Sequence, residues 1–147
     1  MDKVISEIAD EEKVARILFS PSHVYKGQVS PKAFKLEKLK SGAEDYISVL
    51  RYNADQLDSV SAVFQPRTKG DSRYGYTFLN ARDVRNLDYE FSNRKVELLP
   101  KPSKRLPLHA GFFLSIDGRL QTSDDVSPDI DFFQKELAML CDGVHKF

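Results

Sequence analysis

The chain has one cysteine, Cys141, and no tryptophan among its 147 residues. A lone thiol excludes an internal disulfide and any metal site built from several cysteines. No apolar run approaches the roughly 20 residues that a membrane-spanning helix needs. Met1-Asp2-Lys3-Val4-Ile5-Ser6-Glu7 lacks the basic start and apolar middle of a signal peptide. These absences point to a cytoplasmic protein with no membrane partner. The formal net charge is also nil, and there is no internal repeat or low-complexity tract. Gly-rich phosphate loops, a Gly-x-Ser-x-Gly elbow and a catalytic cysteine–histidine pair in one motif are all missing. No cofactor is implied.

What is present is the composition of an ordinary globular domain, with 41% hydrophobic and 30% charged residues. Ten Phe and six Tyr supply a core, and the length suits a single domain over 1–147. "VARILF" after Asp10-Glu11-Glu12 reads as a strand preceded by a break. "YKGQVSPKAFKL" (25–36) turns at Lys26-Gly27, and 35–45 reads as a polar loop or one helical turn. "DYISVLRYN" (45–53) is apolar on both alternating sets, as an inner strand is. Residues 53–65 place Leu57, Val60 and Phe64 at helical spacing, and 66–73 form a basic loop. "YGYTFL" (74–79) and "KVELL" (95–99) are strands, with a short helix at 80–88 between them. "PKPSKRLP" (100–107) is a basic extended connector stiffened by three prolines.

"AGFFLSI-DG-RLQTS" carries the clearest local signal. Asp117-Gly118 between two short runs suits a two-residue type I′ turn, where both positions need positive φ. A β-hairpin is expected at 111–123. Ser127 then caps a helix with Pro128 at its first position, Ile130, Phe133, Leu137, Leu140 and Cys141 on one face, and Gly143 at its end. Irregular alternation of strands and helices predicts a single α+β domain with a mixed or antiparallel sheet and a packed C-terminal helix.

Charge is unevenly spread. Residues 66–105 hold ten Lys/Arg against five Asp/Glu, a net of +5; residues 1–12 carry −4 and residues 117–142 carry −5. A basic middle between acidic ends is either a binding face for an acidic partner or phosphate backbone, or is neutralised when the ends fold over it. Arg67, Lys69, Arg73, Lys101, Lys104 and Arg105 form the candidate binding surface. Tyr74 and Tyr76 follow the first three, an interleaving that can grip single strands of nucleic acid.

His109 is the candidate for chemistry. A histidine beside Lys101, Lys104 and Arg105 suits phosphodiester cleavage, with the ring moving protons and the cations holding phosphate. The structural alternative is a strand-opening histidine that satisfies a backbone group the prolines leave unpaired. His23 sits in a turn, His145 near the C-terminus, and no close-spaced ligand pair supports a metal site. Asp124, Asp125, Asp129 and Asp131 lack calcium-loop spacing and favour a helix dipole instead. Cys141, on an apolar helix face, is expected to be buried and inert.

Three pieces in order, "GQVSPKAFK" (27–35), "DYISVLRY" (45–52) and "LPLHAGF" (106–112), resemble a loose family of small uncharacterised bacterial proteins. Those carry Gly-x-Val/Pro-Ser-x-x-Ala-Phe, a Leu-Ser-Val strand and a late Pro-x-His-Ala, with Ile47 standing here for the usual Leu. Some members sit beside mobile or defence genes. The resemblance implies a bacterial setting and supplies no reaction. With the charge map, it leads to the expectation of a non-enzymatic accessory protein that binds another protein in a defence or mobile-element system. The alternative is a small nucleic-acid-binding or ribonuclease-like toxin protein using His109 and the basic connector.

Overall fold

The computed structural model describes residues 7–19, 22–36, 38–39, 42–52, 73–87, 93–102, 104 and 108–146. β1 (Lys13–Phe19) follows a turn at Asp10-Glu11, as the break in the sequence pattern requires. β2 (Val24–Tyr25) and β3 (Gln28–Val29) form a hairpin around Lys26-Gly27, and a 3-10 turn follows at Pro31–Phe34. β4 (Lys38–Leu39) and β5 (Gly42–Ala43) pair where the sequence pattern suggests a loop or helical turn. Strands of two residues are too short to leave a period in the sequence. Then come β6 (Ile47–Tyr52), β7 (Arg73–Asn80), α1 (Ala81–Arg85), β8 (Arg94–Pro100), β9 (His109–Ile116), β10 (Arg119–Leu120), α2 (Pro128–Leu140) and β11 (His145–Lys146). The helix expected over 53–65 and most of the loop over 66–73 lie outside the described residues.

The main sheet is antiparallel at every pairing, in the order β8–β9–β6–β1–β7–β11. β8 faces residues 110–116 of β9 without a slip in register, so β6 and β10 share the opposite edge, one at each end. The hairpin from β9 to β10 turns at Asp117 (φ 52°) and Gly118 (φ 79°), the type I′ pair read from the sequence. β1 pairs with β6 over three residues, from Lys13–Tyr52 to Ala15–Leu50, then continues along β7 alone. In the gap, the Arg16 side chain donates to Ser48 O at 2.7 Å and Ala33 O at 2.9 Å.

One face of the sheet carries Val14, Leu18, Val49, Leu79, Leu98, Phe112 and Leu114, all buried. Against them pack Phe34 of the 3-10 turn, Val84 of α1, and Ile130, Phe133 and Leu137 of α2. The α+β architecture with a packed C-terminal helix is therefore as expected. Ser127 Oγ accepts from Asp129 N–H at 3.2 Å and caps α2, with Pro128 in its first turn. The helix stops at Leu140, earlier than Gly143. Cys141 is already extended (ψ 140°), and the tail turns toward β7. Asp142 N–H donates to Phe78 O at 3.1 Å, and this bond to the sheet takes the place of another helical turn.

Among the described residues, three cations of the basic middle, Arg82, Arg85 and Arg94, pair with acids of the two ends. Glu12 holds Arg51 at 2.9 Å and Asp10 holds Arg85 at 2.7 Å, so the acidic turn before β1 clamps β6 and α1. Glu136 of α2 meets Arg94 of β8 at 2.8 Å, and Arg94 also donates to Leu87 O. Arg119 pairs with Asp125 across the β10 loop.

Candidate functional site

The other face of the sheet is built from the alternate residues. Strand period two puts Ala15, Ile17, Leu50, Tyr52, Tyr76 and Phe78 together there, joined by Leu108. Where β6 meets β9, the pairs Leu50–His109 and Ser48–Gly111 bring a polar cluster onto the same surface. Ser48 Oγ lies 2.6 Å from His109 Nε2, and His109 Nδ1 lies 3.0 Å from Lys101 O. A carbonyl can only accept, so Nδ1 carries the ring proton and, in the neutral ring, Nε2 accepts from the serine hydroxyl. Lys101 N–H also donates to His109 O at 2.8 Å. His109 thus ties the start of the connector to β6 by its ring and to β9 by its backbone.

Gly111 makes the rest of the cluster. Tyr46 lies across it, and a Cβ there would come within 2.6 Å of Tyr46 Cδ2. The Tyr46 ring stacks on Phe113 with centroids 5.3 Å apart and meets His109 edge-on at 5.8 Å. Lys101 Nζ sits 5.0 Å from the Tyr46 centroid and 5.9 Å from that of Phe113. An ammonium over two rings is held by their quadrupoles. Burial, followed by the nearby Glu44 and Asp45, pushes the Tyr46 hydroxyl above its usual pKa, so it stays protonated. The patch offers a fixed cation, aromatic faces and a protonated phenol. The serine–histidine contact has the order of a nucleophile, a base and a carbonyl that orients the base.

Of the six cations expected to bind, Lys101 and Lys104 are exposed, and Lys101 is the one placed against His109. Arg73 opens β7 opposite Phe19. Arg67, Lys69 and Arg105 lie outside the described residues. His23 is buried, accepts from Phe19 N–H at 3.1 Å and packs edge-on against that ring, which explains it as a turn support. His145 is not at a frayed end: it lies in β11, stacks on Tyr76 at 5.2 Å and meets Asp142 Oδ1 at 3.0 Å. Asp125 caps its own turn, and the Thr122 N–H bond draws its carboxyl below the usual range, with Arg119 assisting. Burial pushes the Cys141 thiol up to about 12, with Asp142 adding to the rise and Thr77 opposing it. Among the described residues no group of three or more His, Cys, Asp or Glu is placed to hold a metal ion. No described helix is long and apolar enough to cross a membrane.

Sequence reasoning missed Ser48, Tyr46, Gly111 and Phe113. Their spacing within each strand is legible, but nothing in the chain announces which residue of β6 faces which residue of β9.

Fold and site together define the class: a single antiparallel α+β domain with helices on one sheet face and a cation–aromatic patch on the other. No family model matches the chain, and no curated protein or solved structure was found similar to it.

Proposed function

We propose that this domain is a non-enzymatic binding protein, which recognises an acidic surface of another protein through the connector at Lys101 and Lys104. The observation that carries this reading is the double attachment of Lys101 to His109, with its ammonium over Tyr46 and Phe113. A cation held in place before binding loses less side-chain entropy on binding than one on a free loop. His109 has both ring nitrogens committed to that framework. Lys104 and Arg105 extend the same basic segment, and the acids that neutralise Arg51, Arg85 and Arg94 are elsewhere. The resemblance to bacterial proteins near mobile or defence genes supplies the setting: an accessory component of such a system.

The second reading is a small nucleic-acid-acting protein. The 2.6 Å contact between Ser48 and His109 favours it, as do rings beside a cation that could stack on bases. Affinity capture from the host, followed by mass spectrometry of protein and nucleic acid, separates the two. The binding-protein reading expects a discrete acidic protein whose recovery survives nuclease treatment. Retention of RNA or DNA, with an affinity that falls steeply with salt, would replace it with the second reading.

A further inference from the structure

Val126 stands 96% exposed just before the Ser127 cap of α2, the most exposed large apolar side chain among the described residues. The segment around it is acidic. Among the described residues, the carboxylates of Asp124, Asp129 and Asp131 meet no cation. Arg119, which approaches the same loop, is tied to Asp125. The N-terminal end of α2 therefore presents one apolar side chain among acids that have no partner.

The other end of the helix is its complement. A cleft of about 690 Å³ opens there, between the β2–β3 hairpin with its following turn and the end of α2 with the tail. Val29, Ala138 and Cys141 give it partly buried apolar walls, and Met139, 84% exposed, stands beside them. Lys135 lines the cleft, and the exposed Lys26 and Lys32 adjoin Gly27 and Pro31 of its lining. None of these three lysines meets a carboxylate among the described residues: Lys26 Nζ lies 5.4 Å from the Tyr25 centroid and Lys135 Nζ 5.9 Å from that of Phe132. Asp142, the acid of the lining, already accepts from Phe78 N–H and meets His145 Nε2 through the same oxygen. An apolar hollow edged by such lysines matches, in charge and polarity, a valine flanked by aspartates. Thirteen residues of helix separate the two, about 20 Å along the axis, so a chain cannot fill its own cleft with its own valine.

We propose that copies of this chain associate head to tail, with Val126 of one copy entering the cleft at the far end of α2 in the next and its flanking aspartates lying among Lys26, Lys32 and Lys135. The two surfaces that meet are different, so the contact is heterologous and repeats into a ring or a filament. Valine burial and charge pairing both favour it, and the charge part is screened by salt. The interface leaves the Lys101 connector uncovered and stands whether or not that connector binds protein.

The test is sedimentation velocity on the full chain, from micromolar to millimolar protein. The mean mass of the wild type should rise with concentration, and the association should weaken several-fold when salt goes from about 0.05 M to about 0.5 M. Two double variants each break one half of the contact at exposed positions: Asp124→Asn with Val126→Asn, and Lys135→Glu with Met139→Glu. Each alone should keep the wild-type thermal transition and stay monomeric. Mixed in equal amounts, they should pair one to one and grow no further, because the mixture holds one working valine loop and one working cleft per pair. A wild type that stays monomeric at millimolar concentration would overturn the proposal, and so would a mixture in which the two variants fail to pair. Self-association that both variants retain and Lys101→Glu abolishes would overturn it as well, assigning the contact to the connector.

Discussion

Gly75 lies directly beneath the carbonyl of His145: a Cβ at Gly75 would overlap that oxygen and crowd Lys146 Cα. This contact lets β11 close the sheet along β7, with His145 opposite Tyr76 and Lys146 opposite Gly75. Asp142 supports the same approach by accepting from Phe78 N–H at 3.1 Å. Gly75→Ala should therefore expel β11 while sparing the inner strands, at a cost of about 1–3 kcal/mol. Amide exchange and urea unfolding would show it: protection lost at residues 145 and 146, retained at Val49 and Phe112. A crystal structure of the variant with β11 still in place would contradict this account of the C-terminus.

α2 belongs to the core rather than to an appendage. Phe133 is 2% exposed and joins the cluster that contains Phe112 and Leu79. Phe133→Ala should cost about 3–5 kcal/mol, the usual range for emptying a buried phenylalanine site. The companion experiment ends the chain after Ser127, which should leave no cooperative unfolding transition. A folded, cooperative truncated domain would show that the sheet does not need the helix.

Alkaline stability should report on Cys141. Its thiol, near 9.0 when free, is held at about 12 chiefly by burial. The folded state therefore keeps the proton that the unfolded state gives up. The contribution is complete below about pH 9 and is lost as pH rises from there through the folded value, by at most about 1.4 kcal/mol per pH unit. Urea unfolding of wild type and Cys141→Ala at about pH 8 and about pH 10.5 isolates the effect from other groups that titrate in this range. The wild type should lose more stability between the two. Parallel losses would mean that the thiol is not held neutral by its surroundings.

The elements with local chemistry are legible in the chain alone. The Asp117-Gly118 turn needs positive φ at two adjacent residues, and few dipeptides tolerate that. The cap at Ser127 followed by Pro128 announces a helix by the same kind of local logic. Pairing order is not legible. That β6 and β7 flank β1, or that β9 is shared by β6, β8 and β10, depends on contacts between distant residues, each with ordinary side chains. The site shows the same division. His109 and Lys101 stand out by type, and the prolines beside them point to a ring that satisfies a backbone carbonyl. Ser48 and Tyr46 gain their meaning only from the Ser48–Gly111 register and the absence of a Cβ at Gly111. The neutralisation of the acidic ends can be guessed from charge, but the particular partners, Glu12 with Arg51 and Glu136 with Arg94, require the fold.

The central claim is that the connector binds and His109 positions it without doing chemistry. One affinity capture from the host tests this most directly, with three baits: wild type, His109→Gln, and Lys101→Glu combined with Arg105→Glu. All three should be shown folded by their unfolding transitions; His109→Gln should lose only about 1–2 kcal/mol, since glutamine can replace part of the bridge between Lys101 O and Ser48. The account predicts that His109→Gln retains the wild-type protein partner and the biological activity of the system, while the double charge reversal releases the partner. A folded His109→Gln variant that still binds its partner but abolishes activity would contradict it, and would make the serine–histidine pair the working part of the site.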